Sequence, residues 1–481
     1  MKKCTIPVAK VKIVWYGFAQ HNFNLSLFSI PKVRQMSKTS FQGIQFPVQF
    51  PVSYEIEAFP TPKEVVISMC QQPGQVCEPL VQKGDQVKKG QLIASGLASE
   101  AAPIHASVSG TVKDIRSHLE PKGRTVTAVF IESDGAEEWA DHVQPGEMLP
   151  MIGSVRLLTA IRGAGIVQAG APSFSLGEQL TSPVTAQEAA GGGAAYEAPK
   201  LLVINGMDIE PGVSVRNAVL RSKIDEVVQG IKILRQVAAV RNVVLVINDE
   251  RVLTPKGHRL LVKDDIDIFW GSSKYPSALE PMLIKQITGR EIPLPGGSSR
   301  DVGVMTLDVL SVLNVLDAAK DNKPQIEKLI TVSAPGMEGP RNILVPIGTR
   351  VSEIVETLNL GSEVSKVIIG GLMMGDAQYS LDIPITKQNY AIILQPESEL
   401  SEFLPEPCIN CGACPKVCPT NLMPNMLSRY CEYNKFEEAE RNFIFHCIEC
   451  GNCAYICPTK RPMVHFMRLG KKELLAKRTG A

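Results

Sequence analysis

Short apolar runs separated by glycine turns fill the stretch from Lys63 to Glu132: Val65 to Met69, Gln82 to Val87, Gln91 to Ile93, Ala106 to Ile115 and Thr125 to Ile131. Runs of this length with turn residues between them predict β-strands. Lys83-Gly84-Asp85-Gln86-Val87-Lys88-Lys89-Gly90 reads as two turns around one short strand. From about Val155 to Lys320 the period changes. Leu201 to Asn205 and Val243 to Asn248 are continuous apolar runs, the pattern of parallel strands covered on both faces, while Val213 to Val240 and Leu307 to Ala319 have helical spacing. That alternation predicts an α/β sheet. Strands return at Leu329 to Ser333, Asn342 to Val345 and Val367 to Gly371, around one short helix at Val351 to Leu358. Asn421 to Phe445 is helical in pattern again.

Four successive patterns in 481 residues predict several domains rather than one. The net charge of +1 gives no reason to expect nucleic acid as a partner. No run approaches 18 uninterrupted apolar residues, so no membrane span is expected. Lys2 and Lys3 ahead of the apolar residues from Val11 to Phe18 imitate a signal peptide, but Lys10 and Lys12 break the run and no small-residue cleavage site follows. Residues 1–40 are expected to be an N-terminal extension, and Met36 is a candidate start.

The chemistry is carried by cysteine. Cys408, Cys411, Cys414 and Cys418 precede Pro419, and the pattern returns 39 residues later as Cys447, Cys450, Cys453 and Cys457 before Pro458. Two runs of C-x2-C-x2-C-x3-C-P are the ligand set of a pair of [4Fe-4S] clusters, in which the fourth cysteine of each run normally serves the other cluster. Cys408, Cys411, Cys414 and Cys457 are therefore expected to hold cluster 1, and Cys447, Cys450, Cys453 and Cys418 cluster 2. Zinc sites use paired C-x2-C or mixed histidine sets, and disulfide frameworks belong to short secreted chains, so neither fits as well. Gly412 and Gly451 each follow the second cysteine of their run, where a tight wrap needs backbone without a side chain. Thiols that must stay reduced until iron arrives favour the cytoplasm.

Gly163-Ala164-Gly165-Ile166-Val167-Gln168 nearly spells the dinucleotide fingerprint, but Gln168 takes the place of its last glycine and a plain glycine turn is the better reading. His105 is expected to be a structural, hydrogen-bonding histidine and not a ligand, Cys77 a small buried residue, and the basic tail Lys471, Lys472, Lys477 and Arg478 a solvated one.

Residues 63–132 resemble the biotinyl/lipoyl-type barrel-sandwich hybrid, although residues 94–104, where a carrier domain would present its lysine, contain none. From about Phe41 the whole chain resembles the RnfC subunits of the Rnf electron-transport complexes. The resemblance rests on Lys83 to Gln91, on Ile104-His105-Ala106-Ser107-Val108-Ser109-Gly110, on Gly370-Gly371-Leu372-Met373-Met374-Gly375 and on both cysteine runs. It implies a multidomain α/β and β fold. The parts are a barrel-sandwich hybrid (41–140), an α/β domain like the flavin-site domain of the complex I flavoprotein subunit (150–325), a β-grasp domain of the soluble-ligand-binding kind (326–392) and an α-helical ferredoxin-type domain (395–475). It also implies an electron-transfer subunit lying peripherally on the cytoplasmic face of a membrane complex that couples electron transfer to ion translocation. The partners would be the other Rnf subunits and a ferredoxin-like electron carrier. The alternative it implies is a soluble protein of the same build serving a proline reductase or a cobalamin reduction system.

The resemblance also places a flavin/NADH site at Gly170, Phe174, Asn205, Glu210 and Lys274. That site is degenerate. Where the family has a stretch like G-L-G-G-A-G-F-P, this chain has Gln168-Ala169-Gly170-Ala171-Pro172-Ser173-Phe174-Ser175, and N-G-A-E-C-E-P becomes Asn205-Gly206-Met207-Asp208-Ile209-Glu210-Pro211. Side chains at Pro172 and Ser173 stand where backbone N–H groups would meet a flavin phosphate. FMN and direct NADH oxidation are therefore not expected of this chain.

Overall fold

Lys63 begins the first of two small sheets that face each other. One has the order Glu64–Ser68, Thr125–Ser133, Gly110–Leu119, Gln86–Val87; the other runs Cys77–Pro79, Leu92–Gly96, Ile104–His105. All their pairings are antiparallel. Alternation along the strands turns Val65, Ile67, Ile93, Ile104, Val112 and Ile131 inward, where they pack as one core. The computed structural model describes residues 33–35 and 41–479 except 48–49, 73, 97–100, 122, 145–152, 170–174, 181–198, 295, 362–363 and 401–405.

The second part is a parallel five-stranded sheet in the order Val33–Gln35, Asp267–Trp270, Asn242–Ile247, Leu201–Asn205, Val304–Asp308. Leu201–Asn205 is buried along its whole length, as expected of a strand flanked by helices on both faces. The long helical stretch expected over Val213 to Val240 is two helices, Val215–Ser222 and Ile224–Ala238, broken at Lys223. Val33–Gln35 was not legible as an element. It pairs in parallel with Ile268–Trp270, so three residues of the expected extension are the sheet's edge strand.

The chain leaves Leu201–Asn205 toward one edge of this sheet and returns on its other side at Val304–Asp308. The carboxyl ends of those two strands form the topological switch point, where open α/β sheets generally bind ligands.

A six-stranded sheet follows, in the order Asp376–Gln378, Lys366–Ile369, Ala391–Gln395, Glu327–Ser333, Arg341–Pro346, Ile56–Ala58. Its two central strands run parallel, and the helix Val351–Thr357 packs Val351, Ile354 and Val355 onto it. Ile56–Ala58 precedes the barrel-sandwich strands in sequence but joins this sheet beside Arg341–Pro346, which ties the two parts together. The cysteine-bearing part is helical, built on Leu427, Cys431, Phe436, Ala439, Ile444, Met467 and Leu474. No described helix is long and apolar enough to cross a membrane.

One buried lysine joins three of these parts. Lys387 donates from Nζ to the Pro103 carbonyl at 3.0 Å and the Gly165 carbonyl at 2.6 Å, and its backbone N–H donates to Gln71 Oε1 at 2.9 Å. Gly165 has φ +60°, and a Cβ there would lie 2.1 Å from the Pro103 carbonyl oxygen. Gly165 of the near-fingerprint thus makes a packing turn against the barrel-sandwich part. Cys77 is buried, as expected; His105 is buried too, but among the described residues its Nδ1 has no hydrogen-bond partner, so the hydrogen bond expected of it is not made at that atom.

Candidate metal centre

The two cysteine runs fold as two copies of one loop. Asn410, Gly412 and Asn421 have positive φ, and so do Glu449, Gly451 and Lys460, each 39 residues further on. In each copy the glycine opens a short helix, Ala413–Val417 or Asn452–Tyr455, which carries the third cysteine inward. The Pro-Thr after the fourth cysteine turns the chain, and Thr420 Oγ1 and Thr459 Oγ1 lie 3.4 and 3.3 Å from the Cys418 and Cys457 sulfurs.

These loops surround two cavities. The inner one, with about 380 Å³ of atom-free space partly open to solvent, is lined by Cys418, Cys447, Cys450 and Cys453. The outer one, about 290 Å³, is lined by Cys408, Cys411, Cys414 and Cys457. Each cavity therefore takes three thiols from one run and the fourth from the other. Cys414, Cys453 and Met463 pack together, so one layer of side chains separates the two. Among the described residues no three histidine, cysteine or carboxylate side chains converge tightly enough to grip a single metal ion. Four thiols spread around a cavity instead suit a polynuclear cluster, which holds its ligands apart at its corners.

Burial disfavours free thiolates here. It pushes the Cys450 thiol up to about 12, with Cys447 and Cys418 adding to the rise, and the Cys414 thiol up to about 11, with Cys408 and Cys457 adding. Cys457 differs. Burial raises it, but hydrogen bonds from Thr459 and the Arg461 backbone outweigh that and hold it below the usual thiol range. Buried neutral thiols that surround a cavity are ready to exchange protons for iron.

The two loops differ in what holds them. Around the outer cavity Cys411 and Ile409 are exposed, and nothing lies within 4 Å of where a Gly412 Cβ would sit. The inner loop is clamped from three directions. From the α/β part, the buried Tyr275 hydroxyl donates to the Cys450 carbonyl at 2.7 Å. From the six-stranded sheet, the Met373 carbonyl lies against Gly451, where a Cβ would come within 2.7 Å of it. From the last helix, Met463–Thr479, Lys471 donates to the Cys447 carbonyl at 2.6 Å and to Glu449 Oε1 at 2.7 Å, while Arg468 Nε reaches Glu449 Oε2 at 2.9 Å. Burial alone would raise the Glu449 carboxyl, but Lys471 and Arg468 hold it below its ordinary value. Lys471, expected to be solvated, is therefore part of the clamp, and Lys477 and Arg478 pair with Glu437 and Glu440.

Comparison with known proteins follows the same division. Residues 42–136 match the RnfC barrel sandwich hybrid domain, residues 161–317 the Nuo51 FMN-binding domain, and residues 402–458 a 4Fe-4S dicluster domain. The C subunit of the proton-translocating ferredoxin:NAD(+) oxidoreductase complex of Clostridium ljungdahlii is 33% identical over 412 residues, covering 84% of this chain and 87% of that protein. The chain belongs to the RnfC family. Within it, the C subunit of the Na(+)-translocating ferredoxin:NAD(+) oxidoreductase complex of Acetobacterium woodii is 30% identical over 420 residues, 87% of this chain and 92% of that one. The C subunit of an ion-translocating oxidoreductase complex of Pseudomonas aeruginosa is 32% identical over 438 residues, 88% of this chain and 54% of that one.

The flavin/NADH positions of this RnfC chain are engaged elsewhere. Gly170 and Phe174 lie outside the described residues. Asn205 donates from Nδ2 to the Ala278 carbonyl at 2.8 Å and accepts the Met207 N–H on Oδ1 at 3.1 Å. Lys274 Nζ reaches the Phe41 carbonyl at 3.5 Å. Glu210 turns to the six-stranded sheet. Its Oε2 accepts the N–H groups of Met373 and Met374 at 2.8 and 3.1 Å, and its Oε1 accepts the Tyr390 hydroxyl. Burial outweighs these bonds and leaves its carboxyl above the ordinary value.

The switch point itself is filled from within. Buried Arg216 donates to Asp308 Oδ2 at 3.2 Å and to the Met207 carbonyl at 3.0 Å. Asp208 takes the Arg216 N–H at 2.8 Å, and burial pushes its carboxyl up to about 7. Arg216, Asp208 and Asp308 are thus engaged with one another and with nearby backbone at the switch point of the domain that matches the FMN-binding family.

Proposed function

We propose that this RnfC chain is an electron-transfer subunit that holds two [4Fe-4S] clusters, the inner one on Cys418, Cys447, Cys450 and Cys453 and the outer one on Cys408, Cys411, Cys414 and Cys457. When bound, such clusters supply one-electron oxidation and reduction. The observation that carries the reading is the grouping of eight thiols into two sets of four, each around its own cavity and each completed by the other run. The protein's part is to orient those thiols, whose protons iron would displace, and to keep the two sets one side-chain layer apart, which favours rapid exchange of electrons between them. The clamped inner loop faces the α/β part, and the exposed outer loop offers Cys411 and Ile409 to a partner.

The partners proposed are the other subunits of an ion-translocating Rnf-type complex at the cytoplasmic face of the membrane, and a ferredoxin-like carrier. The relatives' names support this reading over the soluble reductase partner. The strand order of residues 327–395, with its parallel central pair and single packed helix, supports a β-grasp domain there. The test is iron and sulfide content, with EPR of the reduced protein, for Cys457→Ser and Cys418→Ser. Cys457→Ser should alter the signal of the cluster held by Cys408, Cys411 and Cys414, and Cys418→Ser the other. If Cys457→Ser leaves that signal intact and removes its neighbour's, the grouping is wrong.

A further inference from the structure

Sequence reasoning named Lys274 as a site residue; the structure directs attention to its neighbour. Tyr275 is 6% exposed and crosses from the α/β part to the inner cysteine loop. Its backbone is fixed on both sides, Ile44 N–H donating to its carbonyl and its N–H to the Ile44 carbonyl, both at 2.9 Å. Asn452 Nδ2 also lies 3.4 Å from its carbonyl. The Phe46 ring packs between Tyr275 and Tyr455, at centroid distances of 6.0 and 5.3 Å. A side chain held this firmly aims its hydroxyl at one acceptor, the Cys450 carbonyl. The hydroxyl donates to that carbonyl at 2.7 Å.

We propose that Tyr275 is a positioning residue that raises the reduction potential of the group held by Cys418, Cys447, Cys450 and Cys453, acting through the Cys450–Gly451 peptide. This rests on the ligand reading above. Two effects have the same sign. The positive end of the O–H dipole points toward the cavity wall, in a poorly screened interior, and favours the more negative reduced state. A carbonyl that accepts a hydrogen bond also makes the N–H of its own peptide a stronger donor, and that N–H belongs to Gly451, which lines the same cavity. Outer-shell hydrogen bonds of this kind tune a metal group without touching it. Among the described residues no side-chain donor reaches the carbonyl of Cys411, which stands at the position of Cys450 and is exposed.

The experiment is an EPR-monitored redox titration of the full chain as Tyr275→Phe and with 3,5-difluorotyrosine placed at 275. Loss of the donor should shift the inner group's reduced-to-oxidised ratio about threefold toward oxidised at a fixed potential, roughly 30 mV for one electron. The outer group should not move. Difluorotyrosine keeps the shape but is a stronger donor, so it should shift the inner group the other way; if Tyr275→Phe loses iron, this variant decides. Two signals in the wild type with both variants unshifted would overturn the role of Tyr275 alone, as would equal shifts of both groups. A wild type with no inner signal would overturn the ligand reading and this inference together.

Discussion

Gly412 and Gly451 occupy equivalent places in the two cysteine loops, yet alanine should be tolerated at one and not at the other. Both have left-handed φ, +72° and +81°, so either substitution costs about 1–2 kcal/mol for placing a Cβ in that region. At Gly412 nothing else is met. At Gly451 the new Cβ would lie 2.7 Å from the Met373 carbonyl oxygen, and the Met373–Met374 backbone cannot retreat freely because Glu210 accepts both N–H groups. Weakening one hydrogen bond to a charged acceptor costs about 1.5–3 kcal/mol, so Gly451→Ala should be destabilised by roughly 3–5 kcal/mol in all. The assay is iron per chain and EPR after anaerobic purification. Gly451→Ala should lose about four irons and the inner signal, while Gly412→Ala keeps both clusters. Equal retention in the two variants, or loss from Gly412→Ala alone, would refute the reasoning.

The purified chain should contain little FMN, and NADH should not bleach its cluster absorbance whereas dithionite should; stoichiometric FMN with NADH reducing the clusters would show that the paired Arg216 and Asp308 still leave room for flavin. Burial pushes the Lys387 ammonium down to about 7 from its ordinary 10.5. Between those values the unfolded chain binds a proton that the folded chain does not, so this residue's contribution to stability rises with pH by up to about 1.4 kcal/mol per unit. Comparing thermal unfolding of wild type and Lys387→Met from pH 7 to 9.5 should show the wild type gaining on the variant; a constant difference would mean that Lys387 keeps its proton throughout.

Both cysteine runs and the strand and helix periods of the four parts were legible because each is a local pattern. Leu201–Asn205 could be read from four successive apolar residues, and the proposed ligand sets from spacing. Val33–Gln35 could not, since three residues of mixed polarity carry no period and become a strand only through Ile268–Trp270. The clamp was hidden for the same reason. Tyr275 meets Cys450, and Glu210 meets Met373, across 175 and 163 residues of chain. Sequence alone marked the Gly370 to Gly375 stretch and the Glu210 position as family features, but assigned Glu210 to a ligand. Lys471 looked solvated because a run of basic residues usually is, and only the fold brings Glu449 and the Cys447 carbonyl to it.

The crossing of thiols between the two loops also bears on how the protein matures. The inner set is not complete until residue 453 is in place and the outer set not until residue 457, although Cys408, Cys411 and Cys414 leave the ribosome long before either. An assembly machine that delivers iron and sulfide to the nascent chain would find only three of the four corners provided for. On the ligand sets proposed above, insertion of both clusters would wait until both runs have been made and the helical part has folded, and a chain broken off between the two runs would hold neither.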